Sequence, residues 1–499
     1  MSDLLIATNG QGDDSLKRRT MLGLRWSGLA QVLRQVLQIV ISILLARLLS
    51  PSDFGALAMV LIFTGFAASF RDLGLGAALI QKQDVQPRHE STVFFLQLTV
   101  GIILTLLLAV GAPLIARFYG NPRLTALCLG IAPNFILAAL AGVPMALLQK
   151  AMAFRKIAKI ETISVFVSGT TAILLALNGW GIWSLVLQTL LATLITSILS
   201  WQQSSWHPKL TFDLPAWREL RRFSTALTGF NLINYWVRNL DNLIIGKFIG
   251  TAALGIYSRA YNLMLYPINQ VSGTVSRVMF SAMASIQDQT ERLRDIYLRA
   301  ARLIALLTFP IMAGISVLAD HFIVTVFGLP WQDAAGALRI LAAVGLLQSV
   351  GTTLGWIYTA RGRTDIMFRI GLASGAVYAA AFLVGLRWGV RGVAAAYALS
   401  GFLILWYPSW RVAGGIIGLT FSRMVANLAG IFACTAAMSA AVFALQRFIF
   451  VRPGWISLLS LVGAGMVIYF LLIHFCRLAA YQDLRQLLSE QMASRRRAN

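Results

Sequence analysis

Residues 231–250 read NLINYWVRNLDNLIIGKFIG, an apolar segment that nevertheless carries Asn231, Asn234, Arg238, Asp241 and Asn242. On a helix turning 100° per residue these five fall within an arc of about 100°. Leu232, Ile233, Val237, Leu240 and Leu243 take the opposite face. The segment reads as a helix with one greasy and one polar side, and its surroundings say which solvent it lives in. The chain has 499 residues, 58% hydrophobic and only 12% charged. Soluble proteins carry roughly 25% charged residues, so about half the usual charge is missing. Apolar runs of about 20 residues, each long enough to cross ~30 Å of hydrocarbon, recur from Leu24 to Cys476. The class implied is an all-α integral membrane protein.

About fourteen spans are expected, near 24–49, 54–80, 91–117, 123–149, 157–178, 181–201, 220–247, 252–280, 298–327, 333–360, 366–386, 391–415, 422–446 and 455–477. The net charge of +23 is distributed as a topology signal. Basic residues crowd segments such as Lys17 to Arg25, Lys150 to Lys159, Lys209 to Arg222, Arg292 to Arg302 and Arg477 to Arg497, and thin out in the alternate loops. By the positive-inside rule both termini are cytoplasmic. The basicity also attracts anionic membrane lipids, and nucleic acid is not expected as a partner. The polar N-terminal stretch lacks the short apolar core and cleavage site of a signal peptide, so none is expected. Cys128, Cys434 and Cys476 are scattered through apolar runs and read as buried small hydrophobes, with no disulfide framework or metal site.

A weak internal echo organises the spans. ARLLSPSDFG (46–55) faces GKFIGTAALG (246–255), RFYGNP (117–122) faces TVFGLP (325–330), and GWG (179–181) faces RWG (387–389). The longest connector, QQSSWHPKLTFDLPAW (202–217), separates six spans from eight. This order predicts two six-helix lobes, parallel repeats around a central cavity: an N-lobe at 1–208 and a C-lobe at 209–420. Two appended spans follow at 421–480, then a basic cytoplasmic tail at 481–499. In repeats of this kind the site is expected at the repeat interface.

The polar stripe of 231–250 has counterparts. Ser27, Gln31, Arg34, Gln38 and Ser42 share one face of the first span, about 200 positions earlier. Arg259, Tyr266, Gln270 and Arg277 lie within about 40° of one another if their helix continues through Pro267. Arg71 and Asp72 lie roughly 26 Å in from the outer end of the second span at 1.5 Å per residue. An ionised side chain at the bilayer centre costs on the order of 3 kcal/mol or more. Five arginines (34, 71, 238, 259 and 277) against Asp72 and Asp241 therefore predict a water-filled, net positive cavity. Arginine forks suit phosphate, while Asn231, Asn234, Gln38 and Gln270 suit sugar hydroxyls. The bland alternatives are an i,i+3 ion pair between Arg238 and Asp241, and a polar stripe that only seals two helices. Glu161 and Asp320, near span ends, read as solvated, and GLGAAL (74–79) reads as a close helix contact.

Nothing in the chain reads as an enzyme. GKFIG (246–250) lacks the leading glycine and the Ser/Thr of a phosphate-binding loop, and His89–Glu90 is not part of H-E-x-x-H. No cofactor is expected. Energy would come from a gradient or from the substrate's own imbalance.

ARLLSPSDFGALAMV (46–60), FRDLGLGAALIQ (70–81), GWGIWSL (179–185) and RNLDNLIIGKFIGTAALGIYSRAYNL (238–263) together resemble polysaccharide exporters of the colanic-acid and O-antigen flippase type. These belong to the multidrug/oligosaccharidyl-lipid/polysaccharide exporter superfamily, and the similarity runs from about residue 20 to 415. The resemblance implies fourteen helices, and transfer of an undecaprenyl-pyrophosphate-linked oligosaccharide from the cytoplasmic to the periplasmic leaflet of a bacterial inner membrane. It also implies a rocker-switch transporter for which a proton or sodium gradient is one energy source, and a polysaccharide polymerase with its export machinery as partners. The motif positions that match are Arg71 and Asp72, Arg238 and Asp241, and Tyr257, Arg259 and Asn262. Asp72 and Asp241 are the candidate ion-coupling residues; Asp241 is equally open to being the partner of Arg238. Arg34, Arg238, Arg259 and Arg277 are the residues expected to hold the pyrophosphate. A drug/cation antiporter of the same superfamily would want carboxylates without an arginine excess. A membrane glycosyltransferase or ligase would want a sizeable outer loop or paired acids.

Overall fold

Hydrocarbon offers backbone N–H and C=O groups no water, so a spanning segment must satisfy them within itself. The computed structural model describes residues 13–72, 74–82, 84–209, 211, 213, 215, 217, 235–483 and 485. The side chains of 13–30, 72, 274, 277, 278, 280–282 and 284 lie outside that description. Among the described residues every regular element is helical. Among the described residues eleven helical stretches are long and apolar enough to cross a bilayer, and one of them, 364–416, covers two expected spans. The chain divides into two compact units, Met1–Trp236 and Val237–Asn499.

The first unit contains α1 (Asp13–Leu48), α2 (Pro51–Asp72), α3 (Leu75–Gln81), α4 (Pro87–Tyr119), α5 (Arg123–Ile131), α6 (Asn134–Lys150), α7 (Phe154–Leu177) and α8 (Trp183–Gln203). α7 packs on α1 and α8, and α6 packs on α4 and α8. Small residues let these helices approach: a Cβ on Gly101 of α4 would lie 3.0 Å from the Phe135 carbonyl oxygen and 3.1 Å from Ala139 Cβ. Hydroxyls join helices where apolar contact with lipid would serve equally well, as in the 2.9 Å bond from Thr196 Oγ1 of α8 to Ser164 Oγ of α7. The glycine-rich GLGAAL segment does more than pack. Gly74 sits at φ 68°, a left-handed conformation that costs other residues about 1–2 kcal/mol, and it separates α2 from α3. The FRDLG motif therefore marks a break within the second span.

The described part of the long connector is bound to this unit. Lys209 N–H donates to Ser91 Oγ at 3.1 Å and Asp213 N–H to Thr92 Oγ1 at 3.0 Å. Asp213 also pairs with Arg88 at 3.2 Å, and Trp206 packs against Phe94 and Trp201.

The described helix at 235–248 (α9) falls mostly in the second unit and is followed by α10 (Thr251–Ala284), α11 (Thr290–Val317), α12 (Ala319–Val326), α13 (Ala334–Gly351) and α14 (Leu354–Ala360). After these come α15 (Thr364–Gly385), α16 (Gly389–Leu399), α17 (Trp406–Ile416), α18 (Phe421–Phe448) and α19 (Trp455–Phe475). α10 runs unbroken through Pro267, as its polar stripe requires. That same stripe keeps it out of the apolar eleven. Alanine-rich α13 is the centre of the unit, touching α10, α11 and α16. The appended helices dock on α11 and α12. Asn427 donates to the Leu298 carbonyl at 3.1 Å and Tyr469 to the Leu306 carbonyl at 3.0 Å. His321 is held between Gln446 and the Phe450 carbonyl, and Arg302 pairs with Asp483 at 3.2 Å.

Described helix ends lie within a few residues of the expected spans, except that α1 begins eleven residues early, at Asp13, and α11 eight residues early, at Thr290. The seventh span is described only from residue 235.

Because the Phe135 carbonyl cannot move aside, Gly101→Val is expected to destabilise the protein by about 1–3 kcal/mol. Gly111→Val on the same helix meets nothing within 4 Å and is expected to stay within about 0.5 kcal/mol. Thermal unfolding of the two variants in detergent checks the contrast.

Candidate functional site

The first unit holds a cavity of about 400 Å³ lined by Arg34 and Gln38 of α1, Arg71 of α2, Gly142 of α6, Glu161 and Ser164 of α7, and Thr193 and Thr196 of α8. Three residues expected from sequence, Arg34, Gln38 and Arg71, are thus brought to one space. α1 presents Arg34 and Gln38 one turn apart, and α2 delivers Arg71 just before its break at Gly74. Arg34 donates to Glu161 and to Gln31. Glu161 is a residue the sequence reading left as solvated. A signal for it existed: Glu161, Ser164 and Ser168 recur at i, i+3 and i+7, one polar face of an otherwise apolar helix. The lining carries two arginines against one carboxylate.

In the second unit Asp241 of α9 is 5% exposed and Tyr257 of α10 is fully buried. Tyr257 Oη donates to Asp241 Oδ2 at 2.9 Å, and Asn242 N–H donates to Oδ1 at 2.7 Å. Among the described residues the carboxylate makes no ion pair with Arg238, whose side chain is exposed. The i,i+3 pairing considered from sequence is therefore absent, because Asp241 turns inward toward α10. From Tyr257 the aromatic contacts continue. It stacks on Tyr261 at 5.9 Å, Tyr261 meets Tyr397, and Tyr397 meets Tyr378 at 4.8 Å.

Arg259 has a different setting from the other expected arginines. Its guanidinium lies 5.3 Å from the Phe327 ring centre and 5.5 Å from that of Trp331, a cation–π arrangement against the turn after α12. Gln270 is exposed on α10. Arg277 lies on α10 and Asp72 ends α2, both with side chains outside the description, and Asn231 and Asn234 lie outside the described residues. Among the described residues no cluster of His, Cys, Asp and Glu suits a metal ion.

Arginines and a carboxylate around a cavity, set in a many-helix membrane fold, fit a multi-pass membrane transporter. Solved structures agree on the fold. The chain is similar to a lipid II flippase MurJ in an inward closed conformation, with TM-score 0.73 and 15% identity over 92% of this chain and 99% of that one. It is also similar to an inward-facing multidrug resistance MATE family transporter of the MOP superfamily, with TM-score 0.60 and 15% identity over 83% and 96%. The chain belongs to the family described as polysaccharide biosynthesis protein, which it matches over residues 44–336. It is 30% identical to the teichuronic acid biosynthesis protein TuaB of Bacillus subtilis, over 92% of this chain and 96% of that protein. It is 29% identical to the lipopolysaccharide biosynthesis protein WzxC of Escherichia coli, over 74% and 76%. The succinoglycan biosynthesis transport protein ExoT of Rhizobium meliloti is 30% identical over 66% and 67%. The chain is a membrane transporter of the polysaccharide biosynthesis family and not an enzyme.

Removing the Tyr257 hydroxyl leaves a buried carboxylate short of one donor, so Tyr257→Phe is expected to cost about 1–3 kcal/mol. Tyr266→Phe, at an exposed position of the same helix, is expected to change stability by less than about 0.5 kcal/mol. Unfolding midpoints in detergent micelles measure both.

Proposed function

We propose that the chain moves an undecaprenyl-pyrophosphate-linked oligosaccharide from the cytoplasmic to the periplasmic leaflet of a bacterial inner membrane, for exopolysaccharide or lipopolysaccharide assembly. The observation that carries this reading is the cavity of the first unit, where Arg34 and Arg71 converge and Glu161 is the carboxylate among the described lining residues. Guanidinium forks match the oxygens of a diphosphate in pairs, and in a cavity walled by low-dielectric helices that match is stronger than in water.

In this reading Arg34, Arg71, Arg238 and Arg277 handle the diphosphate. Gln38, Gln270, Asn231 and Asn234 meet sugar hydroxyls. Arg259, held by Phe327 and Trp331, steadies the turn beyond α12 and contributes its charge at a distance. The isoprenoid tail stays in hydrocarbon while the head group crosses. Alternating access is a rocking of residues 1–208 against 209–420, with 421–480 carried along and 481–499 as a cytoplasmic tail. A proton or sodium gradient supplies the energy through Asp241 or Asp72. Both termini face the cytoplasm, and a polysaccharide polymerase with its export machinery receives the product.

The test is complementation of a strain lacking this chain. Arg34→Ala and Arg238→Ala are each expected to abolish surface polymer while membrane abundance stays at the wild-type level by immunoblot. Full export by both variants would overturn the assignment.

A further inference from the structure

The second unit has a cavity of its own, about 300 Å³, at the low end of small-molecule sites. Gln348 of α13, Thr352 just beyond it, Ser374 and Tyr378 of α15, Tyr397 of α16 and Trp410 of α17 supply its polar and aromatic groups. Among the described residues, no lysine, arginine, aspartate or glutamate lines it. That composition is selective. An anion would find no cation, a cationic drug would find no carboxylate, and a hydrocarbon chain would strand the amide and hydroxyl groups. What fits is a neutral ring with apolar C–H faces and a rim of hydroxyls. Tyrosine and tryptophan offer flat faces with a polar tip, and Gln, Thr and Ser offer both donors and acceptors.

Two further features point to a ligand. Trp410 is 3% exposed, and its indole N–H has no hydrogen-bond partner among the described residues. A buried donor left unmet is costly, and a small shift of the ring that turned it to the cavity would let an arriving acceptor relieve it. The helix between α16 and α17 widens to a π-helix over Ser400–Leu405, and Gly401, Phe402 and Leu405 of that turn form one wall. Such widened turns are frequent at functional sites because they re-aim neighbouring side chains.

We propose that this cavity is a glycan subsite that takes an uncharged sugar residue of the transported head group, separate in chemistry from the arginine-lined cavity of the first unit. The identity of the glycan donor rests on the flippase reading above; the neutral-sugar chemistry rests on the cavity itself.

The full chain in nanodiscs tests it with two probes: undecaprenyl pyrophosphate, and the host strain's repeat-unit oligosaccharide freed of lipid and phosphate and radiolabelled. Ser374→Trp, which fills the cavity, is expected to weaken oligosaccharide binding about tenfold or more, and Trp410→Phe, which removes the donor together with one ring of the indole, about threefold to tenfold. Both should leave undecaprenyl pyrophosphate binding within about twofold, while Arg34→Ala shows the opposite pattern. Oligosaccharide binding at the wild-type level in both cavity variants would overturn the subsite, as would equal losses for both probes. A wild-type chain that binds the oligosaccharide through Trp410 but not undecaprenyl pyrophosphate would refute the flippase reading and keep the glycan cavity. The converse would keep the flippase and refute the cavity.

Discussion

The ion pair of Arg34 with Glu161 is the interaction on which the first unit depends. An arginine on a spanning helix needs either water or a counter-charge, since hydrocarbon supplies neither. α1 brings the arginine, α7 brings the carboxylate, and the pair links two helices that also pack on one another through Ile41 and Gly169. The pair is only partly buried, with side-chain exposures of 21% and 38%, so solvent screening keeps its net contribution to stability small. Its larger effect is on geometry. It fixes which face of α1 points inward, and so places Gln38 beside Arg71 in the same cavity.

The second unit meets the same constraint by a different route. Asp241 is buried without a cationic partner among the described residues, and neutral donors take its place: the Tyr257 hydroxyl and the Asn242 N–H. A carboxylate held by dipoles alone depends on every donor being kept, because each loss exposes a larger share of its desolvation cost. Tyr257 in turn is set by its stack on Tyr261 and the contacts of Tyr261 with Tyr397. The aromatic row thus joins the buried acid to the wall of the uncharged cavity.

Spanning helices were legible because length and hydropathy alone define them, and the polar stripes because helical periodicity is local. Arg34, Gln38 and Arg71 could be nominated for the same reason: each breaks the apolar pattern of its own span. Partners were not legible in this way. Asp241 has an arginine three residues away, yet it bonds to a tyrosine sixteen residues on, across the turn into α10. Arg259 finds its aromatic rings about seventy positions later. Glu161 was set aside because of its place near a span end, although depth along one helix does not tell what a neighbouring helix delivers. Gly74 looked like a packing glycine because its neighbours are small, whereas its positive φ is a property of the backbone path.

Glu161 also bears on how a cationic cavity can release what it binds. Arginines with no counter-ion would hold a diphosphate tightly in a low-dielectric space, and a transporter must let go. In the proposed flippase reading, Glu161 in reach would let Arg34 exchange one anion for another instead of being stripped of all partners when the substrate leaves. The desolvation cost of the empty state is thereby offset, and the difference in free energy between occupied and empty cavities narrows. The same exchange would leave Glu161 unpaired, beside Ser164 and Thr196, whenever phosphate held Arg34. In the flippase reading the carboxylate that sequence alone assigned to solvent is therefore the competitor that makes turnover compatible with recognition.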